Sequence, residues 1–151
     1  MGDLDQDIRR SYPELFANLE ARQTLEYSGS LPRPEALRIM AEADYLLLLD
    51  MVGTAGYTVP AKLFEYLRIG RPILAVTPRD SPVEKILAMS GVPYRTIHPD
   101  DEPANIDEKV LELLQLPSEP VAPSSWFEET FDGRRQAGVL ARLLDTLVRT
   151  R

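Results

Sequence analysis

The chain has 151 residues, 44% of them hydrophobic and 27% charged, a mixture that suits one soluble globular domain able to bury a core. Its formal net charge of −7 disfavours a broad cationic surface for nucleic acid or anionic lipid and leaves room only for a local cationic pocket. With no cysteine, disulfides, thiolate metal sites and thiol nucleophiles are excluded.

Met1-Gly2-Asp3-Leu4-Asp5 lacks the basic-then-apolar layout of a signal peptide, and no apolar run approaches the roughly 18 residues of a membrane span. A cytoplasmic protein without a transmembrane segment is expected. Gly2 is no myristoylation acceptor, because Gln6 stands where that motif wants Ser or Thr. Ser11-Tyr12-Pro13-Glu14 has capping-box spacing, and Leu15, Phe16 and Leu19 recur at helical intervals, predicting a helix to about Arg22. Leu25 to Leu31 reads as a short strand. Pro34 opens a helix through Asp44, with Ala36, Leu37, Met40 and Ala41 on one face. Tyr45 to Leu49 is apolar without alternation, the pattern of a strand covered on both faces.

Asp50 to Val59 is a polar loop containing Gly53, Thr54, Gly56 and Thr58, after which Pro60 starts a helix and Gly70 ends it. Arg71 to Val76 is a further buried strand. Ser81-Pro82-Val83-Glu84 repeats the capping-box signature before a helix terminated by Gly91, and Val92 to Ile97 is the last strand. Ile106, Val110, Leu113 and Leu114 mark an amphipathic helix, and Ala137 to Val148 another. The expected organisation is an α/β domain over residues 1–116, a linker over 117–125 with three prolines, and a helical segment over 126–151 packing back on the domain. Alternating strands and helices predict a layered α/β domain with a mainly parallel sheet.

Ligands of such sheets bind at the carboxyl ends of strands, which directs attention to Asp50 to Lys62. The bare N–H groups and positive dipole end of the Pro60 helix suit an anion such as phosphate. Lys62 in the first turn opposes the macrodipole by roughly 0.3–1 kcal/mol unless an anion is shared with it. On spacing alone Lys62 still reads first as a solvated lysine, and Glu65 as a surface glutamate pairing with Arg68. A ribose diol, with two hydroxyls to donate, is the functional alternative for Glu65.

The stretch Val59-Pro60-Ala61-Lys62-Leu63-Phe64-Glu65-Tyr66-Leu67-Arg68-Ile69-Gly70-Arg71-Pro72-Ile73-Leu74-Ala75 resembles the segment "vPxKlfEYlaxGrPila" of retaining GT-B glycosyltransferases of the group-one, or family-four, type. Tyr27-Ser28-Gly29-Ser30-Leu31-Pro32 and Ala41-Glu42-Ala43-Asp44-Tyr45-Leu46-Leu47 are similar to two upstream strands of that family, and Phe131 to Leu147 to its closing helix. The resemblance implies that a nucleotide-diphosphate sugar binds on a C-terminal Rossmann-like, three-layer α/β domain, with the acceptor on an N-terminal domain across a cleft. Glu65 matches the ribose-binding glutamate. Ala61 and Lys62 fall at the diphosphate, Thr58 in the lead-in loop, and Gly29, Ser30 and Leu31 where main chain reads the base. Catalysis in such enzymes is largely electrostatic, so no catalytic residue, metal or cofactor is expected here; the nucleotide sugar is substrate.

Two departures qualify the match. Many relatives carry a second glutamate, touching the transferred sugar, at the position held here by Tyr57. The family's domain also begins with two further strands and a loop bearing an arginine and a lysine for the diphosphate, all expected upstream of this chain. The expectation is therefore part of a bacterial hexosyltransferase of polysaccharide or glycolipid synthesis, inactive alone, reaching the inner membrane only through the full-length enzyme. Its partner is the missing acceptor domain or a second copy. The alternative is a non-catalytic α/β interaction module descended from such an enzyme; a response-regulator-like or flavodoxin-like domain explains the alternation but not the Val59 to Ala75 match. His98, the sole histidine, reads as a surface residue, and Asp100, Asp101 and Glu102 as acidic charge ahead of a helix N-terminus. Trp126, Phe127 and Phe131 are expected to pack on the other domain, or to be exposed or repacked without it.

Overall fold

A computed structural model describes residues 10–22, 24, 26, 28–50 and 58–149. Its contacts divide the chain into two compact units, Met1–Glu42 and Ala43–Arg151. The first holds helices α1 (Pro13–Ala21) and α2 (Arg33–Glu42). The second runs β1 (Leu46–Leu49), α3 (Ala61–Ile69), β2 (Ile73–Val76), α4 (Pro82–Ser90), β3 (Tyr94–Ile97), α5 (Pro103–Leu114), α6 (Ser125–Phe131) and α7 (Gly133–Arg149).

In the first unit, the strand expected over 25–31 is not found in its described part. Glu26 and Ser28 to Leu31 have no strand structure, while Leu25 and Tyr27 lie outside the described residues. Gly29 supplies the reason: its φ of +68° is left-handed, a conformation that breaks an extended run.

The sheet of the second unit has order β1-β2-β3 and is parallel throughout. Leu46 pairs with Ile73 and Leu49 with Val76; Ile73 in turn pairs with Tyr94 and Val76 with Ile97. Each strand is followed by a helix, so the molecule is mixed α/β with a small all-parallel sheet, consistent with a Rossmann-like domain. Side chains alternate across the pleat, and Leu46, Leu48, Ile73, Ala75 and Thr96 form one buried face. On the other face α5 packs over β3 and β2, where Arg95 Nε meets Glu112 Oε2 at 2.6 Å.

β1 departs from its expected double-sided burial: Leu47 and Leu49 are 52% and 56% exposed while Leu46 and Leu48 are buried. The difference follows the cover on that face: α5 packs over β3 and β2, and neither of those strands has an exposed residue.

Helix ends follow the local chemistry. Gly70 and Gly91 take φ of +79° and +78° as left-handed caps of α3 and α4. Ser81 Oγ accepts from the Glu84 N–H at 3.1 Å, and Glu84 Oε2 accepts in return from the Asp80 N–H at 2.9 Å. The proline-bearing stretch expected to be a linker is a strap tied to the body. Val121 N donates to Gly70 O (2.9 Å), Ser124 N to Ser90 O (2.6 Å) and Arg71 Nη1 to Ser118 O. Ser124 then caps α6, whose Phe127 is buried beside Phe64 and Phe131 at centroid distances of 6.4 and 5.3 Å.

Candidate functional site

Two groups of polar residues stand at the carboxyl edge of the sheet, where loops leave β1, β2 and β3. The first is the entrance of α3. Its N-cap is Pro60, with φ −59° and ψ 130° and no side-chain capping bond. Proline offers no side-chain acceptor, so the amides of the first turn have no capping group from their own N-cap residue. Ala61 and Lys62 are exposed, as is Thr58 in the lead-in, so this end of the helix is open.

Leu63, Tyr66 and Leu67 anchor the opposite face of α3, each at 8% exposure or less. The Tyr66 hydroxyl donates to Leu47 O at 3.3 Å and ties α3 to β1. Burial pushes the Tyr66 phenol above its ordinary range, and the neighbouring Glu65 charge adds to the shift. Glu65 itself is half-buried, one turn in from the open end. One helix and its lead-in thus bring together Thr58, Ala61, Lys62 and Glu65. Tyr57, with the loop glycines Gly53 and Gly56 and Thr54, lies outside the described residues. Gly29, Ser30 and Leu31 belong to the first unit; Ser30 is exposed, and Gly29 and Leu31 are half-buried.

The second group was not singled out by sequence, and it links all three strand ends. Thr77 Oγ1 donates to Asp50 Oδ2 at 2.7 Å and lies 2.8 Å from Ser81 Oγ. Thr77 has one hydroxyl proton and gives it to the carboxylate, so Ser81 donates to Thr77. A relay Ser81 to Thr77 to Asp50 results. His98 Nδ1 is 3.0 Å from Thr77 O, and because a carbonyl only accepts, Nδ1 carries the proton in this contact. Nε2 lies 3.5 Å from Glu84 Oε1.

His98 is therefore not the surface histidine expected, being 7% exposed. It stands directly after β3, between Thr77 at the end of β2 and Glu84 in α4, and these neighbours cover it. Asp101 accepts from the His98 N–H at 2.9 Å and pairs with Arg79 at 2.5 Å. The His98 amide, with help from the Arg79 guanidinium, holds the Asp101 carboxyl below its usual range. Besides the Ser81 to Glu84 capping box, the signal legible in sequence for this group was the place of Asp50, Thr77 and His98, each one residue beyond a strand.

A cavity of about 440 Å³ lies elsewhere, lined by Arg68, Pro123, Phe127, Glu128, Phe131 and Asp132. Arg68 is at the far end of α3, about 9 Å along the axis from Lys62 at 1.5 Å per residue, so this hollow is separate from the helix entrance. Among the described residues no three His, Asp or Glu side chains are grouped to hold a metal ion, and no helix is long and apolar enough to cross a membrane. No family model, curated protein or solved structure matches the chain. What the coordinates define is a class: a Rossmann-like α/β domain with an open helix entrance at the carboxyl edge of its parallel sheet.

Proposed function

We propose that this chain is the donor-binding part of a retaining GT-B-type glycosyltransferase, taking the diphosphate of a nucleotide sugar at the start of α3. Glu65 accepts hydrogen bonds from the ribose diol, and Lys62 supplies a positive charge to the diphosphate. The observation carrying this reading is that the stretch resembling the family, Val59 to Ala75, folds as one continuous device. A helix start with no side-chain cap from its own N-cap residue exposes Ala61 and Lys62, Glu65 follows one turn later, and Gly70 turns the chain back into a strand parallel to β1. An anion at that start gains from the helix dipole and the first-turn amides together. The acceptor domain and the sugar-contacting groups belong to the larger enzyme, so transfer of a hexosyl unit needs more than these residues.

UDP, GDP and ADP titrated separately against thermal unfolding test the proposal. One of them at about a hundred times its Kd should stabilise the fold by roughly 2.7 kcal/mol, and Glu65→Ala should remove most of that gain. Tyr57, which stands where many members of that glycosyltransferase family have a glutamate, favours the second reading, a non-catalytic interaction module. Indifference to all three nucleotides selects that module and rejects donor binding.

A further inference from the structure

The last helix presents a second surface of different chemistry. Val139, Leu140, Leu143, Leu144, Leu147 and Val148 of α7 are each between 52% and 74% exposed. Spaced by three and four residues, they are neighbours on the helix surface and make one continuous stripe. A continuous exposed apolar patch of this kind marks an interaction surface.

Charge and width say what the contact is. α7 contains four arginines against one aspartate, in a chain whose net charge is −7. At 100° per residue, the apolar positions from Val139 round to Ala141 cover about 200° of the helix, broken only by Gln136 in the first turn, and Arg134, Arg135 and Arg142 fall in the remainder with Asp145. A two-helix seam needs a narrower stripe and flanks of alternating sign. Two copies of α7 would instead set arginine against arginine, with only Asp145 to offset them. A broad leucine face opposite an arginine face is the pattern of a helix lying in the plane of a lipid surface, where acyl chains accept the one and headgroup phosphates the other.

We propose that α7 docks the protein flat on an anionic lipid surface. The inference is independent of nucleotide binding. Its test is sedimentation of the intact chain with vesicles of equal parts phosphatidylcholine and phosphatidylglycerol, against vesicles of phosphatidylcholine alone. Binding to the anionic vesicles should exceed binding to the neutral ones by at least about tenfold and weaken with added salt. Leu143→Asp with Leu147→Asp should abolish it, and Arg134→Glu with Arg142→Glu should reduce it by about tenfold or more. All four side chains are exposed, so the thermal midpoint in the absence of vesicles should stay put and separate lost binding from lost folding. Equal binding to both vesicle types, or binding unchanged by the leucine substitutions, overturns the proposal. So does a concentration-dependent dimer, dissolved by those leucine substitutions, in a protein that ignores anionic vesicles; the stripe would then belong to a second copy.

Discussion

Gly70 carries more of the fold than its lack of a side chain suggests. Its N–H caps α3 on Tyr66 O at 2.9 Å, its carbonyl receives Val121 N, and its φ of +79° is one that residues with a Cβ rarely adopt. A Cβ built there would lie 2.2 Å from Val121 O, so the strap passes directly over the glycine. Gly70→Ala should therefore cost about 2–4 kcal/mol, strain and overlap adding together, measured by denaturant unfolding. Gly29, also left-handed but with nothing within 4 Å of its added Cβ, is the control; Gly29→Ala should show only the conformational part. The turn at Gly70 was legible in the sequence, whereas the crossing backbone of Val121 was not, because the two lie 51 positions apart in the chain.

Asp101 sets a pH dependence at the same scale. The folded chain holds its carboxyl below the ordinary range through the His98 amide and Arg79. The unfolded chain therefore binds this proton more readily. The stabilisation is present above the ordinary carboxylate range and is lost as pH falls through the depressed folded value. Asp101→Asn should flatten that part of the acid limb of a stability-against-pH curve; an unchanged curve would show that the carboxylate contributes nothing.

Among the elements, α6 is short, at seven residues, too few to hold a helix in water without tertiary support. Its support is the aromatic cluster. Phe127 is 2% exposed, Phe131 lies 4.9 Å from the Phe64 ring and 5.6 Å from Trp126, and the Arg68 guanidinium sits 5.6 Å above the Phe127 ring. Phe127→Ala should cost about 3–5 kcal/mol, read as a lower thermal midpoint, and should release the 117–124 strap to faster amide exchange. From sequence the three aromatics were expected to pack on the other domain, or to be exposed or repacked without it. Their partner was not legible, since α3 buries its own apolar side under Leu63, Tyr66 and Leu67 and offers Phe64 beside it. α3, β2 and α4 were read nearly to their ends because caps, prolines and terminal glycines are local signals; β1 was read as an element but not in its burial, because exposure of Leu47 and Leu49 depends on what covers that face.

For the molecule as a whole, the sequence alone determined the α/β alternation, the helix entrance at Pro60 and the punctuation at Gly70, Ser81 and Gly91. Each of these rests on interactions within a few residues, so the local order of side chains is enough to specify it. Tertiary structure alone decided the burial of His98, the relay from Ser81 through Thr77 to Asp50, and the conversion of a proline-bearing stretch into a strap. It also decided that α7 keeps its leucines in the open. For the first three the physical reason is that decisive partners come from distant points of the chain, Asp50 and His98 to Thr77 and Val121 to Gly70, so no single stretch of sequence carries both.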